Sequence, residues 1–354
     1  MHDACSTGSS RRSKPSARKR GRHGACKPSS NGNAGAIQAA RDAGHVPGFL
    51  FFPSNLLLLS LMLHLPRLHA SLLPAGVDEF RDLPDPVVKL PGCVPVHGAD
   101  LLQILQDRTS DAYRWMLHHG EKYRDAKGIL VNTFHAVEPG AVDALCAAPD
   151  IPPVYPIGPV TRQMDTADDE DDATGCVAWL DAQPDGSVLF VSLGSGGAIP
   201  VAQTRELARG LEASGHRFLW VVRSPPTPSV DDQAMVLAHR ATGAMLTHCG
   251  WNSVLESVAR GVPMVAWPLY AEQRQKRGHA LMLCEETMVA LRHKVRGEDA
   301  GGMVLAQDIA EVVEEVMRGE KQGELVRAKV AELQEAARKG FFFYFGPFSL
   351  KFYK

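Results

Sequence analysis

Nothing in the chain narrows its possible folds more than the alternation of apolar runs and helix-spaced segments between Ser187 and Lys339. SVLFVSLG (187–194), RFLWVV (217–222), AMLTH (244–248), PMVAWP (263–268) and MVALR (288–292) read as buried strands. PVAQTRELARGLEAS (200–214), Asn252 to Arg260, a segment from Ala271, and two polar stretches between Leu305 and Lys339 read as helices. Strands that return through helices build a parallel sheet with covered faces, so a doubly wound α/β domain is expected here. Such strands are buried on both sides, which is why their runs are continuous rather than alternating.

A weaker α/β half precedes it: FLFFP (49–53), a Leu-rich helix, a Pro-rich loop RDLPDPVVKLPGCVPVHGAD (81–100), a helix around Leu101 to Arg124, then GILVNTF (128–134) and VYPIGP (154–159). With 354 residues the chain has room for two such domains. TRQMDTADDEDDATG (161–175) reads as a solvated acidic linker between them, since no strand precedes its carboxylates to hold them as metal ligands. The apolar stretch GFLFFPSNLLLLSLMLHLP (48–66) is cut by Pro53, Ser54 and Asn55 into a strand-sized and a helix-sized piece. Neither piece reaches the roughly 20 residues a bilayer needs, so no membrane partner is expected.

Residues 1–35 are crowded with Arg, Lys, Ser and Gly, hold the single acid Asp3, and show no apolar periodicity, so they read as a basic disordered tail. A net charge of −2 gives no electrostatic reason to expect nucleic acid. Seven cysteines, scattered and never in a CxxC spacing, point to free thiols in a reducing compartment. With no secretory signal in view, the expected location is cytoplasmic.

The polar stretch THCGWNSVLES (247–257) lies where a strand should hand over to a helix. In a doubly wound sheet, ligands sit beyond the carboxyl ends of the strands near the point where strand order reverses. His248 would arrive on the strand, the Cys249–Gly250 turn would let backbone approach a ligand, and Asn252 and Ser253 would stand at a helix N-terminus, a ready site for phosphate. Ser253 and Glu256 also fit a capping box, which needs no ligand, and from these residues the two readings weigh equally. A second loop, LGSGG (193–197), directs Ser195 and several glycine amides to the same edge.

VLAHRATGAMLTHCGWNSVLESVARGVPMVAWPLYAEQRQ (236–275) closely resembles the signature box of plant UDP-dependent glycosyltransferases that act on small secondary metabolites. LPGCVPVHGADLL, GILVNTFHAVEPGA and VLFVSLGSGG are similar to the subgroup of hydroquinone glucosyltransferases, and the resemblance covers roughly residues 39 to 339. It implies two facing Rossmann-like domains of the GT-B type: an incomplete acceptor-side domain at 36–160 and a UDP-sugar-binding domain at 176–338; KGFFFYFGPFSLKFYK (339–354) departs from the family, replacing its final helix with an aromatic tail. By the same resemblance His248, Asn252 and Ser253 contact the diphosphate and Trp251 shapes their loop. Ser195 lines the second loop, Glu256 with Gln233 takes the ribose hydroxyls, and Glu272 with Gln273 reads the hexose. The implied reaction is transfer of glucose from UDP-glucose to a phenolic or similar hydroxyl with inversion, without a metal or other cofactor, by a monomer.

The chain departs from the family pattern in three further places. Where the family has Trp-Ala-Pro-Gln, with the Trp stacked on uracil, this chain has Val230, Asp231, Asp232 and Gln233. Several dozen residues before that point, including a third strand, have no counterpart, but in a Rossmann order that strand lies at the sheet edge and the rest stays continuous. The family's N-terminal catalytic His and its Asp partner are not found: His23 lies in the basic tail, and His45, His64, His97, His118 and His119 read as ordinary loop or helix residues. A positioned base contributes about 10²–10⁴ in rate, whereas base stacking is worth about 1–3 kcal/mol, so catalysis is expected to suffer more than donor recognition. The alternatives are a truncated, non-catalytic UDP-sugar-binding protein and an altered-splice product. Exposed apolar surface around FLFFP would favour association.

Overall fold

Alternation decides the first strand: in β1 (Phe49–Phe52), Leu50 and Phe52 point inward while Phe49 and Phe51 stay exposed. A computed structural model of the chain describes residues 48–71, 79–83, 85, 87–161, 175–194, 199–222, 233–267, 280, 282–292, 303–319 and 321–345. The expected basic tail, nearly all of the acidic linker, and residues 346–354 lie outside these.

After Asn55, whose Oδ1 accepts from the Leu58 amide at 3.0 Å, α1 (Leu56–Ser71) begins. Leu56, Leu59 and Leu63 pack under the sheet, and Leu57, Leu61 and Leu65 enter a second cluster with Phe80 and Tyr113. A helix apolar on several faces is buried on several faces. It also runs five residues past Pro66, where the apolar stretch was expected to stop. Pro66 cannot donate to the Met62 carbonyl. Gly120 packs against that carbonyl, and a Cβ at Gly120 would overlap it. One turn on, Arg124 Nη2 donates to Leu63 O at 2.6 Å, so a neighbouring helix supports the interruption.

The Pro-rich loop is more ordered than expected, since β2 (Val87–Val88) and β3 (Val96–His97) pair antiparallel within it. The helix expected from Leu101 starts only at Asp111, as α2 (Asp111–Tyr123), where Ser110 Oγ accepts from the Tyr113 amide at 3.2 Å. Leu101, Leu102 and Leu105 are buried on irregular turns braced by the buried Gln106 amide, which donates to Gly98 O and Leu101 O. Then come β4 (Gly128–Val131), α3 (Pro139–Ala147) and β5 (Val154–Pro156), and the strands form a parallel sheet in the order β1-β4-β5.

The second sheet follows α4 (Cys176–Asp181). Its elements are β6 (Val188–Ser192), α5 (Val201–Ala213), β7 (Arg217–Trp220), α6 (Gln233–Ala238), β8 (Thr242–Thr247), α7 (Trp251–Arg260), β9 (Met264–Ala266), a π-helical turn at Met282–Glu286 and β10 (Ala290–Arg292). Two helices close it, α8 (Ala306–Arg318) and α9 (Gln322–Phe345). All its strands are parallel, in the order β10-β9-β8-β6-β7. With β6 as first strand this is a Rossmann order lacking its third member, and the sheet is continuous as anticipated. β7 is the outermost described strand, with Phe218 37% exposed. The expected aromatic tail from 339 is a helix in its first part, because α9 continues to Phe345.

The two sheets share packing: Phe134 and Val137, just beyond β4, belong to the same core as β6, β8 and α7. Among the described residues no helix is long and apolar enough to cross a membrane. Among the described residues Cys93, Cys146, Cys176, Cys249 and Cys284 stand outside any disulfide, and burial pushes the Cys93 and Cys284 thiols up to about 12.

Candidate functional site

Strand order reverses between β6 and β8, whose final residues Ser192 and Thr247 are partners in the ladder. Beyond that pair the chain turns sharply through Cys249, which has φ 63° and is fully buried. Left-handed backbone at a non-glycine residue costs about 1–3 kcal/mol and persists where the surroundings enforce it, often at functional sites. Thr247 Oγ1 accepts from the Cys249 amide at 3.3 Å.

The next residue, Gly250, is the N-cap of α7, and no side chain caps that end. The first helical bond runs from Val254 N to Gly250 O at 3.0 Å, leaving the amides of Trp251, Asn252 and Ser253 ahead of it. Their orphan donors and the helix dipole form an anion site, and no acid occupies the first turn to compete. The geometry also removes the capping-box alternative. Ser253 lies three residues inside the helix, and Glu256 turns to Gln233 instead of back to the cap.

Half-buried His248 is held between two glycines: a Cβ on Gly194, itself at φ 74°, or on Gly250 would overlap its ring. This is why the loop after β6 and the turn after β8 both need glycine. Trp251 is buried, and its Nε1 donates to Asn132 O beyond β4 at 2.6 Å, tying the helix tip to the other sheet. Asn132 in turn grips Val160, accepting from its amide at 2.7 Å and donating to its carbonyl at 3.2 Å.

Gln233, at the start of α6, reaches across to α7: Nε2 donates to Glu256 Oε2 at 2.6 Å and to Ser253 Oγ at 3.1 Å. Its Oε1 accepts from Ser192 Oγ at 3.2 Å. Thus Gln233, His248, Trp251, Ser253 and Glu256 lie together at the switch point, with Asn252 exposed beside them. Ser195, Glu272 and Gln273 lie outside the described residues. The sequence reading passed over Ser192, whose only signal is a hydroxyl ending an otherwise apolar strand, and Asn132, whose role depends on a backbone atom.

Glu138 was missed as well. Its buried carboxyl accepts from the Leu56 amide at 2.8 Å, the Leu57 amide at 3.4 Å and Thr133 Oγ1 at 2.6 Å, so it closes the N-terminus of α1. Burial outweighs these hydrogen bonds and pushes its pKa up to about 7. His64, His97, His118 and His119 have local roles. His64 Nδ1 lies 2.7 Å from Ser60 O in its own helix, His97 caps a short turn, and His118 and His119 pack against Trp115. Among the described residues no group of three metal-ligating side chains comes together.

A family model described as UDP-glucoronosyl and UDP-glucosyl transferase matches residues 153–326. UDP-glycosyltransferase 72B1 of Arabidopsis thaliana is 44% identical over 83% of this chain and 66% of its own length. Hydroquinone glucosyltransferase of Rauvolfia serpentina is 44% identical over 83% and 67%. The chain therefore spans about two thirds of the curated relatives it matches. Among solved structures, Phytolacca americana UGT2 complexed with UDP-2fluoro-glucose and pterostilbene superposes with a TM-score of 0.75 at 46% identity, covering 86% of this chain and 70% of that one. Medicago truncatula UGT71G1 complexed with UDP-glucose gives 0.70 at 33% identity, covering 86% and 69%.

Proposed function

Because the chain belongs to the UDP-glucoronosyl and UDP-glucosyl transferase family, with the two Rossmann-like sheets of a GT-B fold, we propose that it binds UDP-glucose at the switch point and serves glucosyl transfer to a hydroxyl of a small phenolic metabolite. The observation that carries this reading is the uncapped N-terminus of α7, set behind the left-handed Cys249 turn and flanked by His248. The diphosphate lies against the amides of Trp251, Asn252 and Ser253, with the Asn252 and Ser253 side chains and the His248 ring adding contacts. Glu256 and Gln233 take the ribose. Ser195 is assigned to the phosphate edge by its place in the LGSGG stretch, and Glu272 with Gln273 to the hexose by resemblance alone.

In the reaction, the chain's task at this end is to stabilise the departing diphosphate. Orphan amides aimed at developing charge require no reorganisation as the bond breaks, and His248 reinforces them when protonated. This field replaces the divalent cation that other nucleotide-sugar sites employ, so EDTA should leave binding and turnover unchanged. Deprotonation of the acceptor falls to the N-terminal half, where no described residue takes the base's role. Turnover is therefore expected to be weak relative to donor binding.

The test is isothermal titration of the full chain with UDP, alongside turnover of labelled UDP-glucose on a panel of small phenols. UDP binding that His248→Ala weakens about tenfold supports the reading, on the scale of one charge-assisted hydrogen bond. Binding unaffected by that substitution, or no UDP binding at millimolar ligand, refutes it. Binding without turnover marks a nucleotide-sugar-binding protein.

A further inference from the structure

We infer that Ser192 is a positioning residue that anchors the Gln233 side chain to β6 and so keeps its amide on Ser253 and Glu256 of the donor site, the carboxylate setting the direction of that amide. The inference rests on the donor reading above and concerns a residue at the end of β6 that this reading leaves without a task.

A carboxylate only accepts, so the Gln233 atom 2.6 Å from Glu256 Oε2 must be its nitrogen. The same nitrogen, 3.1 Å from Ser253 Oγ, has one hydrogen for each neighbour. Its oxygen therefore faces β6, where the Ser192 hydroxyl donates to it at 3.2 Å. Ser192 is buried at the switch point and so comes with the strand, whereas Gln233 stands at the first turn of a short helix. The strand holds the side chain of the less constrained partner.

The direction of each bond then propagates. Ser253 accepts from Gln233, so its single hydrogen is left to donate outward, and no described residue takes it. A hydroxyl locked as a donor beside the orphan amides suits a phosphate oxygen. Glu256 has one oxygen engaged by Gln233 and the other available as a pure acceptor, which suits a ribose hydroxyl. Without the Ser192 anchor the Gln233 side chain loses its hold on β6, and Ser253 and Glu256 lose the shared donor that directs them. Ser192 touches neither subsite.

The test is isothermal titration of the full chain with UDP and with 2′-deoxyuridine 5′-diphosphate, in wild type, Ser192→Ala, Ser192→Cys and Ser192→Thr. The wild type should favour UDP by about tenfold, because the deoxy ligand leaves a desolvated acceptor unpaired. Ser192→Ala should lower UDP affinity about fivefold, the loss of one hydrogen bond, and narrow the preference to about twofold. Ser192→Cys, nearly the same size with a weak donor, should narrow it likewise should the alanine variant unfold, and Ser192→Thr should restore it. A preference unchanged in Ser192→Ala or Ser192→Cys overturns this inference alone. Absence of UDP binding in the wild type overturns the donor reading and this inference with it.

Discussion

Replacing Glu138 with Gln should abolish the pH dependence that this carboxyl gives to the stability of the β1-β4-β5 sheet. Two influences compete at this carboxyl. Three donors and the N-terminus of α1 favour the charged form, while complete burial disfavours it. The cavity beside it, lined by Cys93, Ala141, Met282 and Glu286 among others, has a volume of about 10 Å³, room for no more than a single water. Desolvation therefore wins, Glu286 adds a like charge, and the pKa rises from 4.5 to about 7. A folded-state pKa above the unfolded one means that the folded chain holds a proton the unfolded chain has released. That contribution is complete below pH 4.5, declines as pH rises through 7, and is absent above. At about 1.36 kcal/mol per unit, the span amounts to about 3 kcal/mol. The amide in Glu138→Gln keeps an acceptor for Leu56 and does not titrate. Urea unfolding of both proteins between pH 4.5 and 8 should show the wild type losing stability relative to the variant by up to that amount. A flat difference would refute the reasoning. A wild type that gains with rising pH would mean that the helix N-terminus outweighs burial.

Two further substitutions probe the frame around the site. Trp251→Phe keeps the ring in the core but leaves the Asn132 carbonyl without its indole donor, so it should cost about 1–3 kcal/mol in denaturant unfolding and weaken UDP binding in parallel. A stability unchanged within a few tenths would show that water replaces the bond. Gly194→Ala meets both a positive φ and the His248 ring, so UDP affinity by titration should fall at least tenfold, and wild-type affinity would dismiss the packing argument.

Much of the nucleotide-facing half was legible because its signals are local. Buried parallel strands are continuous apolar runs, and THCGWNSVLES carries its strand end, turn and helix start within eleven residues. Where the sequence misled, a side chain's reason lay elsewhere in the fold. Leu101, Leu102 and Leu105 have helical spacing yet fill the core from turns, while the true start was marked by Ser110 and Asp111. The helix continues through Pro66 because support comes from Gly120 and Arg124 on another segment. Pro139 at the first turn of α3 is a helix-start cue that went unread. The capping box failed for the opposite reason: Ser253 and Glu256 have the right spacing, but their partner is Gln233, some twenty residues upstream. Glu138 shows the limit most plainly, since its ligands are amides more than eighty residues away.

The position of β7 has a consequence for how such a chain tolerates remodelling. A strand at the border shares its ladder with a single neighbour, so material gained or lost beyond Trp220 breaks no hydrogen bonds between β6, β8, β9 and β10. The tip of α7 stands two strands inward, where the same edit would sever ladders on both sides. Lineages can therefore rewrite the outer margin while the turn after β8 and the tip of α7 are inherited intact.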